Sequence, residues 1–544
     1  MTPGDELLFC TLGGSGEIGM NVNLYGCQGK WLMVDLGMTF GMNEYPGVEL
    51  VFADLEFIEE QRKDLLGIVL THAHEDHIGA VPYFAKELGV PLYATPFTAK
   101  LVAAKLEEAG IAGEIELNVI DHLDRFDLGP FGIRYIPLAH SIAEGNGLLI
   151  DTPYGRIFHT GDWKLDDRPL IGQPTTTEEL TAIGDGGILA LVCDSTNVFN
   201  PQASGSEGAV RDGLIEEVRR HAGKRVLVTT FASNVARLQT LGDVARASRR
   251  RLCIAGRSLD RIIRSAEACG YLRDLPDIVD FETAMGLPRG EVLVVATGGQ
   301  GEPRAALARI AEDTHPIALE SGDVVLFSSR QIPGNEIAIG RIQNRLAARD
   351  ITIVTDRQRH IHVSGHPGRP ELEALYGWLR PQILVPVHGE VRHMHEQARL
   401  GRACGVPKAI TQENGDLVRL APGKPGKIAE VRAGRLVLDG DIITAADGEA
   451  QVIRRRLAHN GLVIVVLGGK GKVHVEAIGL PLDEDMNEFL DEAREDVAAA
   501  LAKLKGGQRH DRDTVSEAAR LAARRAAQRW SGKKPQVRVI LPEV

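Results

Sequence analysis

An apolar run at residues 65–70 leads directly into Thr-His-Ala-His-Glu-Asp-His-Ile-Gly at residues 71–79, and this junction strongly constrains the fold. Four side chains of metal-ligand type lie within six positions there: His72, His74, Asp76 and His77. His72 and His74 lie two residues apart on extended backbone, so their side chains point to the same face. The last two lie beyond the strand end and can face a second ion. The spacing therefore predicts a strand that ends in a loop serving two metal ions, and it disfavours a merely solvated histidine-rich loop.

Two further predicted strands end in candidate ligands. Residues 135–138 lead into His140, and residues 156–158 lead towards Asp162. His140 can join the first two histidines around one ion, and Asp162 can bridge that ion to a second one. Taken alone, His140 would more often be a hydrogen-bonded core histidine and Asp162 a turn residue. Their interpretation as metal ligands depends on the motif at residues 71–79.

The N-terminal glycines allow two interpretations. Gly14, Gly16 and Gly19 form a literal G-x-G-x-x-G after a strand-like run, which would bind a dinucleotide if a helix followed. The apolar segments on both sides of residues 26–29 predict a β-hairpin instead, so the dinucleotide site is disfavoured. The hairpin ends at Asp35, whose carboxylate either orients the metal-binding loop or caps a turn.

Composition narrows the function classes. With 544 residues the chain is long enough for about three domains. It has no apolar run of membrane-spanning length, and acidic residues stand near its start, so we expect a cytoplasmic protein without a membrane contact. Six scattered cysteines without a C-x-x-C pair predict buried thiols. A net charge of −12 argues against non-specific coating of nucleic acid but leaves a local basic groove open.

A long central stretch has its own alternation of strands and helices. Four strands are predicted, at residues 225–229, 251–255, 291–296 and 323–327. Helical segments such as 234–248 and 304–312 separate them. This alternation predicts an α/β domain inserted into the first domain.

In this order the segments resemble a known superfamily. Asp35, residues 72–77, His140 and Asp162 match the motifs of the metallo-β-lactamase superfamily. The later positions Asp194, His366 and His388 match those of its β-CASP group of nucleic-acid-processing nucleases. Within that group the chain is similar to the ribonuclease J family over about residues 7–440, in the segments 13–21, 194–197, 230–234, 297–303, 332–336 and 362–366. It departs from the family at residues 143–145 and 330–331, which touch no metal ligand.

The resemblance implies an α/β fold: an αββα metallo-β-lactamase sandwich, an inserted α/β β-CASP domain and a small α+β C-terminal domain. We expect the first part of the sandwich at residues 1–207 and the insert at 208–350. The second part with its linker is expected at 351–445, and the C-terminal domain at 455–544.

The resemblance also implies the metal site and its chemistry. Two divalent ions are expected per chain, Zn²⁺ in the first place and Mn²⁺ or Mg²⁺ as alternatives. Seven ligands are expected: His72, His74, Asp76, His77, His140, Asp162 and His388. Asp35 would support them. Asp76, Asp194 and His366 would be catalytic, with His366 as the general acid that protonates the leaving 3′-oxygen and Asp194 as its partner.

The substrate implied is single-stranded RNA. Family members combine 5′-to-3′ exonuclease action, favouring 5′-monophosphate ends, with endonuclease action in RNA processing and decay. A terminal phosphate would meet donors on one turn, formed by His362, Val363, Ser364, Gly365 and His366. Ser233 and Asn234, just before a predicted helix, would add a helix N-terminus. Ser233 is as well explained as a plain N-cap.

The tail predicts a β-α-α-β unit, with strands at 462–467 and 537–541 and helices at 483–504 and 514–530. The resemblance implies an assembly module that makes a homodimer or homotetramer, and RNA-decay proteins are possible further partners. The second helix is basic, which favours a solvated charged face over an RNA contact. Residues 439–449 are expected to be a connector.

Three function classes remain at this point. A two-metal ribonuclease is preferred. A second class is another hydrolase of the same fold, acting on DNA or on a small ester or thioester, and only the resemblance favours RNA over DNA. The third is a non-catalytic RNA-binding scaffold, which would predict a damaged ligand set, whereas all seven ligand positions are filled.

Overall fold

The computed structural model describes residues 4–41, 44–122, 124–331, 335–468 and 472–541. Residues 332–334, part of one segment of the resemblance, therefore lie outside the described residues. The chain divides into two compact units, Met1–Thr39 with Phe52–Gly434, and Phe40–Val51 with Arg435–Val544. All candidate site residues belong to the first unit. No helix among the described residues is long and apolar enough to span a membrane.

Two large sheets face each other in the first unit. The eight-stranded sheet has the spatial order Gly426–Glu430, Asp416–Ala421, Leu7–Gly13, Val22–Cys27, Lys30–Val34, Leu65–Val69, Leu92–Ala94, Leu117–Val119. The seven-stranded sheet has the order Arg125–Leu128, Phe131–Pro137, Asn146–Thr152, Gly155–His159, Ala190–Asp194, Ile383–Val387, Lys408–Ala409. Buried side chains of both sheets, Tyr25 and Val69 from one and Tyr135 and Val192 from the other, share one core.

Helices cover the outside of this pair of sheets. They are Glu56–Glu60, Glu75–Ile78, Val81–Leu88, Pro96–Glu108, Thr177–Asp185, Arg369–Leu379 and Val391–Ala403. A second core packs Leu180, Leu372 and Leu400 from three of them against Leu191 and Leu384 of the seven-stranded sheet. The predicted αββα sandwich is confirmed, and so is the N-terminal hairpin, whose strands Val22–Cys27 and Lys30–Val34 pair antiparallel.

Strand direction brings the predicted ligands to one edge. Gly155–His159, Ala190–Asp194 and Ile383–Val387 are neighbouring parallel strands, so their carboxyl ends lie together. Phe131–Pro137 runs in the same direction, because it is joined to them through one antiparallel strand. Ligands that follow parallel strands meet at the carboxyl edge of a sheet, where α/β proteins usually bind their ligands.

The inserted domain contains a five-stranded parallel sheet. Its order is Arg251–Ala255, Val292–Ala296, Val226–Thr229, Val324–Phe327, Thr352–Thr355. Its helices are Glu207–Arg220, Val235–Ser248, Arg257–Ala268, Phe281–Gly286, Ala306–Ala311 and Glu336–Ala348, with a 3-10 turn at Arg289–Glu291. The four predicted strands are present within one residue at each end. A fifth strand, Thr352–Thr355, pairs with Val324–Phe327, although the second part of the sandwich is expected to begin at residue 351.

The second unit contains a three-stranded sheet in the order Val473–Ile478, Leu462–Leu467, Gln536–Ile540. Helices Met486–Ala502 and Arg512–Ser531 pack on it, and 3-10 turns lie at Asp483–Asp485 and Gly506–Arg509. The predicted β-α-α-β order is wrong by one strand. Val473–Ile478 was missed although His474 and Glu476 alternate with apolar residues, as is typical of a half-buried strand. Residues 469–471 before it lie outside the described residues.

The expected connector at residues 439–449 is also wrong. Arg435–Asp439 and Ile442–Ala445 form an antiparallel hairpin, and helix Glu449–Asn460 follows it directly. The hairpin belongs to a four-stranded sheet that includes Leu50–Ala53 and Met38–Phe40. The short turn between the hairpin strands explains why glycine and aspartate are present there.

The prediction of buried thiols is correct for four of the six cysteines. Cys10, Cys27, Cys193 and Cys253 are buried free thiols, as predicted. Cys269 is partly exposed and Cys404 is exposed, because both lie at the C-terminal ends of surface helices.

Candidate metal centre

The first group of ligand atoms comes from three histidines and one aspartate. His74 Nδ1 lies 3.1 Å from both His72 Nε2 and His140 Nε2. In a tetrahedral zinc site, metal–nitrogen bonds of about 2.05 Å would separate the ligand nitrogens by about 3.3 Å. Asp162 Oδ2 lies 3.9 Å from His72 Nε2 and 3.8 Å from His140 Nε2. The four atoms therefore converge on a space of the size that one ion needs.

The second group shares Asp162. Asp162 Oδ2 lies 3.3 Å from His77 Nε2, and Asp76 Oδ2 lies 3.6 Å from the same nitrogen. His388 Nε2 closes the group at 3.0 Å from Asp76 Oδ2. Asp76 and His77 lie on the short helix Glu75–Ile78 after the strand, which turns them away from His72. The predicted seven ligands are thus brought together in two groups with one common carboxylate.

Fixed partners hold the outer nitrogens of four ligand histidines. The Nδ1 atom of His77 lies 2.7 Å from Asp35 Oδ2, and that of His140 lies 2.7 Å from the Gly365 carbonyl. The Nδ1 atoms of His72 and His388 lie 3.0 Å and 2.8 Å from the hydroxyls of Thr71 and Thr196. Such contacts fix the ring orientation and the tautomer in metal sites, which leaves Nε2 for the ion.

The electrostatics of the cluster suit bound cations. Burial lowers the pKa values of His72 and His140 well below the usual range and that of His74 to about 4, which keeps these rings in the neutral form that ligates metal. Burial also opposes charge on His77 and His388, but neighbouring carboxylates raise both pKa values. Asp162 Oδ1 is buried without a hydrogen-bond partner among the described residues. Positive charge would therefore stabilise the buried carboxylates of the cluster, and two divalent ions would supply that charge.

Asp35 supports the ligand loop from below. It is fully buried, and its Oδ1 accepts a hydrogen bond of 2.8 Å from the Thr71 backbone N–H. Its Oδ2 accepts from the Thr71 hydroxyl at 2.9 Å and from His77. Of the two interpretations given above, the contacts favour a residue that orients the metal-binding loop.

Asp194 and His366 form a close pair beside the two ligand groups. His366 Nδ1 lies 2.8 Å from Asp194 Oδ2 and 4.0 Å from Asp162 Oδ2. Burial lowers the pKa of His366, but the carboxylates of Asp194 and Asp162 outweigh burial and raise it overall. A histidine that keeps its proton beside the ligands is suited to give that proton to a leaving group.

The polar atoms of the turn at residues 362–366 form more hydrogen bonds within the protein than the sequence predicts. Ser364 Oγ accepts hydrogen bonds from Asn197 Nδ2 at 2.6 Å and from the His366 N–H at 3.1 Å. The Gly365 carbonyl accepts from His140, and a Cβ at Gly365 would lie 2.8 Å from that ring. Val363 is buried. The His366 N–H is therefore already used within the turn, and binding of a terminal phosphate by the remaining donors of the turn stays a prediction.

Three cationic side chains of the first unit act on His362. Its Nδ1 atom is buried without a hydrogen-bond partner in the described part of the chain. Burial and the charges of Arg237, Arg330 and Lys164 hold the pKa of His362 well below its usual range. Arg237 is itself paired with the buried Glu207, and Lys164 Nζ lies 3.0 Å from Asp166 Oδ2. Two of the three positive charges are therefore balanced by carboxylates.

Asn234, not Ser233, caps the helix Val235–Ser248. Asn234 Oδ1 accepts a 2.8 Å hydrogen bond from the Arg237 N–H, and Asn234 is buried. Ser233 precedes the cap by one residue, so its assignment as a plain N-cap is wrong. Since the carbonyl oxygen of Asn234 is occupied, only its amide nitrogen is left for a phosphate.

Two functional neighbours were missed at the sequence level. The Thr196 hydroxyl donates to Asp194 Oδ1 at 2.7 Å and contacts His388, while Asn197 Nδ2 reaches Ser364 and the His366 carbonyl. Both directly follow Asp194, and this adjacency within the segment 194–197 is the signal that could have found them.

Family comparisons agree with this arrangement along the chain. Residues 19–170 match the model of the metallo-β-lactamase superfamily, and residues 223–346 match that of the ribonuclease J β-CASP domain. Residues 350–411 match the Zn-dependent metallo-hydrolase RNA specificity domain, and residues 453–544 match the ribonuclease J C-terminal domain.

Full-length relatives are similar throughout. Ribonuclease J of Sinorhizobium meliloti is 41% identical, with 100% of this chain and 98% of that protein covered. Ribonuclease J of Mycolicibacterium smegmatis is 36% identical, with coverages of 98% and 96%. A crystal structure of a protein of unknown function from Enterococcus faecalis V583 has a similar fold, with a TM-score of 0.55 and 18% identity, covering 76% of this chain and 100% of that one.

Proposed function

This chain belongs to the ribonuclease J family, and we propose that it is a two-metal ribonuclease that hydrolyses phosphodiester bonds of single-stranded RNA. The observation that carries the proposal is the pair of ligand groups that share Asp162, with the Asp194–His366 pair beside them. An intact ligand set with a placed proton donor favours an enzyme over a binding scaffold.

The two ions, Zn²⁺ in the first place and Mn²⁺ or Mg²⁺ otherwise, would supply a nucleophile at neutral pH and stabilise negative charge at phosphorus. The chain's own residues would do the rest. His366 gives its Nε2 proton to the 3′-oxygen as the phosphorus–oxygen bond breaks. Asp194 holds the opposite nitrogen of that ring, and so stabilises the protonated form before the transfer. The products are a 5′-phosphate and a 3′-hydroxyl.

A preference for 5′-monophosphate ends, with 5′-to-3′ exonuclease and additional endonuclease action, is part of the proposal. The support is the position of His362, next to the charge of Arg330, at one end of the turn that contacts the ligand histidine His140. The Ser364 hydroxyl proton and the amide nitrogen of Asn234 are the further candidate donors, with Ser233 beside them.

The test compares substrates on one preparation. Protein loaded with Zn²⁺ or Mn²⁺ is incubated in parallel with 5′-monophosphorylated RNA, 5′-hydroxyl RNA, single-stranded DNA and a thioester. We expect release of mononucleotides from the first RNA, slower release from the second, and loss of both in a variant with Asp76→Ala and His77→Ala. Hydrolysis of the thioester or of DNA alone would contradict the proposal.

We further propose that the protein is cytoplasmic and forms a homodimer or homotetramer through its second unit, with RNA-decay proteins as additional partners. The three-stranded sheet supports self-association, because Ile478 and Ile540 are 60% and 44% exposed on its outer strands. Size-exclusion chromatography with light scattering at several concentrations tests it. A monomer throughout would contradict the assembly.

A further inference from the structure

Large apolar side chains are exposed on three segments that contact the metal ligands. Phe199 is 52% exposed, Val391 49% and Ile18 41%. Phe199 follows Asp194 by five residues, and Val391 follows His388 by three. Single exposed apolar residues are normal on a protein surface, but several around a reactive centre usually mark a binding surface.

The three segments are in contact with one another. Residues Ser15–Gly16 pair with Gly389–Glu390, and a Cβ at Gly16 would lie 3.6 Å from Val391 Cγ2. A Cβ at Gly19, next to Ile18, would lie 3.3 Å from Asp76 Cβ. The segments that carry Ile18 and Val391 therefore contact each other, and the first of them contacts Asp76 of the second ligand group.

Phe199 joins this surface through His393. The two rings lie 5.3 Å apart between centroids at an angle of 62°, and His393 is buried. His393 in turn packs behind Gly389, where an added Cβ would lie 3.0 Å from His393 Cβ. The phenyl ring is thus supported from below, while about half of its surface faces solvent.

We propose that the Phe199 ring, supported by His393, forms a platform on which an unpaired nucleobase of the RNA next to the scissile phosphate stacks. This inference rests on the proposed ribonuclease function, since it assigns the platform to the same substrate. Phe199 follows Asp194 by five residues, which span at most about 17 Å, so the ring lies within reach of a single strand bound at the ligands.

A nucleobase fits this surface better than a phosphate does. Phe199, Val391 and Ile18 offer no charge, whereas every base has a π face that can stack on an aromatic ring. Because stacking uses that face and not the hydrogen-bonding edge, the platform binds all four bases. It contributes binding without sequence preference, as degradation of many RNAs requires.

The experiment measures KM and kcat on a 5′-monophosphorylated single-stranded RNA and on copies that each lack one base at a successive position. The enzymes are the metal-loaded wild type, Phe199→Ala, Phe199→Trp and Ile428→Ala. Ile428 is a matched control: it is 37% exposed and lies on the outermost strand of the eight-stranded sheet, Gly426–Glu430. Thermal unfolding and bound metal are measured for each variant.

For the wild type we expect one abasic position to raise KM about fivefold or more, the lower end of what base–aromatic stacking contributes. Phe199→Ala should raise KM on intact RNA by a similar factor and abolish the abasic penalty. Phe199→Trp should keep both the low KM and the penalty, and Ile428→Ala should match the wild type.

An unchanged KM in Phe199→Ala overturns the platform, and so does an abasic penalty that persists in that variant. A fall in kcat together with lost metal also overturns it, because the ring would then support the metal site and not a base. If the wild type cleaves no RNA at all, the proposed function fails first and the platform with it.

Discussion

The two ligand groups and the turn at residues 362–366 lie side by side, yet they use their polar atoms in opposite ways. In the ligand groups, outer ring nitrogens are held by fixed partners while the inner atoms converge on open space. In the turn, Ser364 and Gly365 use their polar atoms to hold Asn197 and His140. The ligand groups leave atoms directed towards ions, whereas the turn holds one of their histidines in place.

The largest expected effect comes from the residue that both ligand groups share. Asp162→Ala should remove both ions and reduce RNA hydrolysis to background, because each group loses a ligand and three histidines lose their neighbouring carboxylate. Asp151→Ala is the matched control, since Asp151 lies on the same sheet, 33% exposed and paired with Arg156. If Asp162→Ala keeps activity within tenfold of the wild type, the two ligand groups do not depend on a shared carboxylate.

The proton donor gives the next largest effect. His366→Ala should keep its metal and lower kcat on RNA about 10²- to 10⁴-fold, the usual contribution of general acid catalysis. A phosphodiester with a p-nitrophenolate leaving group needs no proton, so its hydrolysis should fall far less. Equal losses on both substrates would instead assign His366 to the metal site.

A smaller effect is expected below the ligand loop. Asp35→Asn should weaken metal binding about 10- to 100-fold, as loss of a partner of a ligand histidine typically does. Metal titration by competition with a chelator measures this, and excess metal should restore most of the rate. If excess metal does not restore the rate, Asp35 stabilises the fold more than it stabilises the metal site.

The smallest effect tests the turn itself. Asn197→Ala removes two hydrogen bonds, to Ser364 and to the His366 carbonyl, each contributing about 1 kcal/mol. We expect KM for 5′-monophosphorylated RNA to rise about tenfold while bound metal stays constant. Loss of metal as well would mean that Asn197 supports the ligand groups through the turn and does not act on substrate binding alone.

Sequence predicted the ligands better than the turn for a physical reason. Histidines and aspartates at strand ends have few other uses when several occur together, so His72 and Asp76 were identifiable from spacing alone. The role of Asn197 depends on meeting Ser364, 167 positions away, and no local pattern encodes that contact. A different reason applies to Val473–Ile478, since its alternation of apolar and polar residues is typical of a half-buried strand and could have been recognised locally.

The central claim is that one cluster holds two ions through a shared carboxylate. Anomalous scattering from crystals grown with Zn²⁺ or Mn²⁺ tests it most directly. We expect two peaks about 3.5–4 Å apart, one within His72, His74 and His140 and one within Asp76, His77 and His388, with Asp162 between them. A single peak, or two peaks that do not share Asp162, would contradict the account.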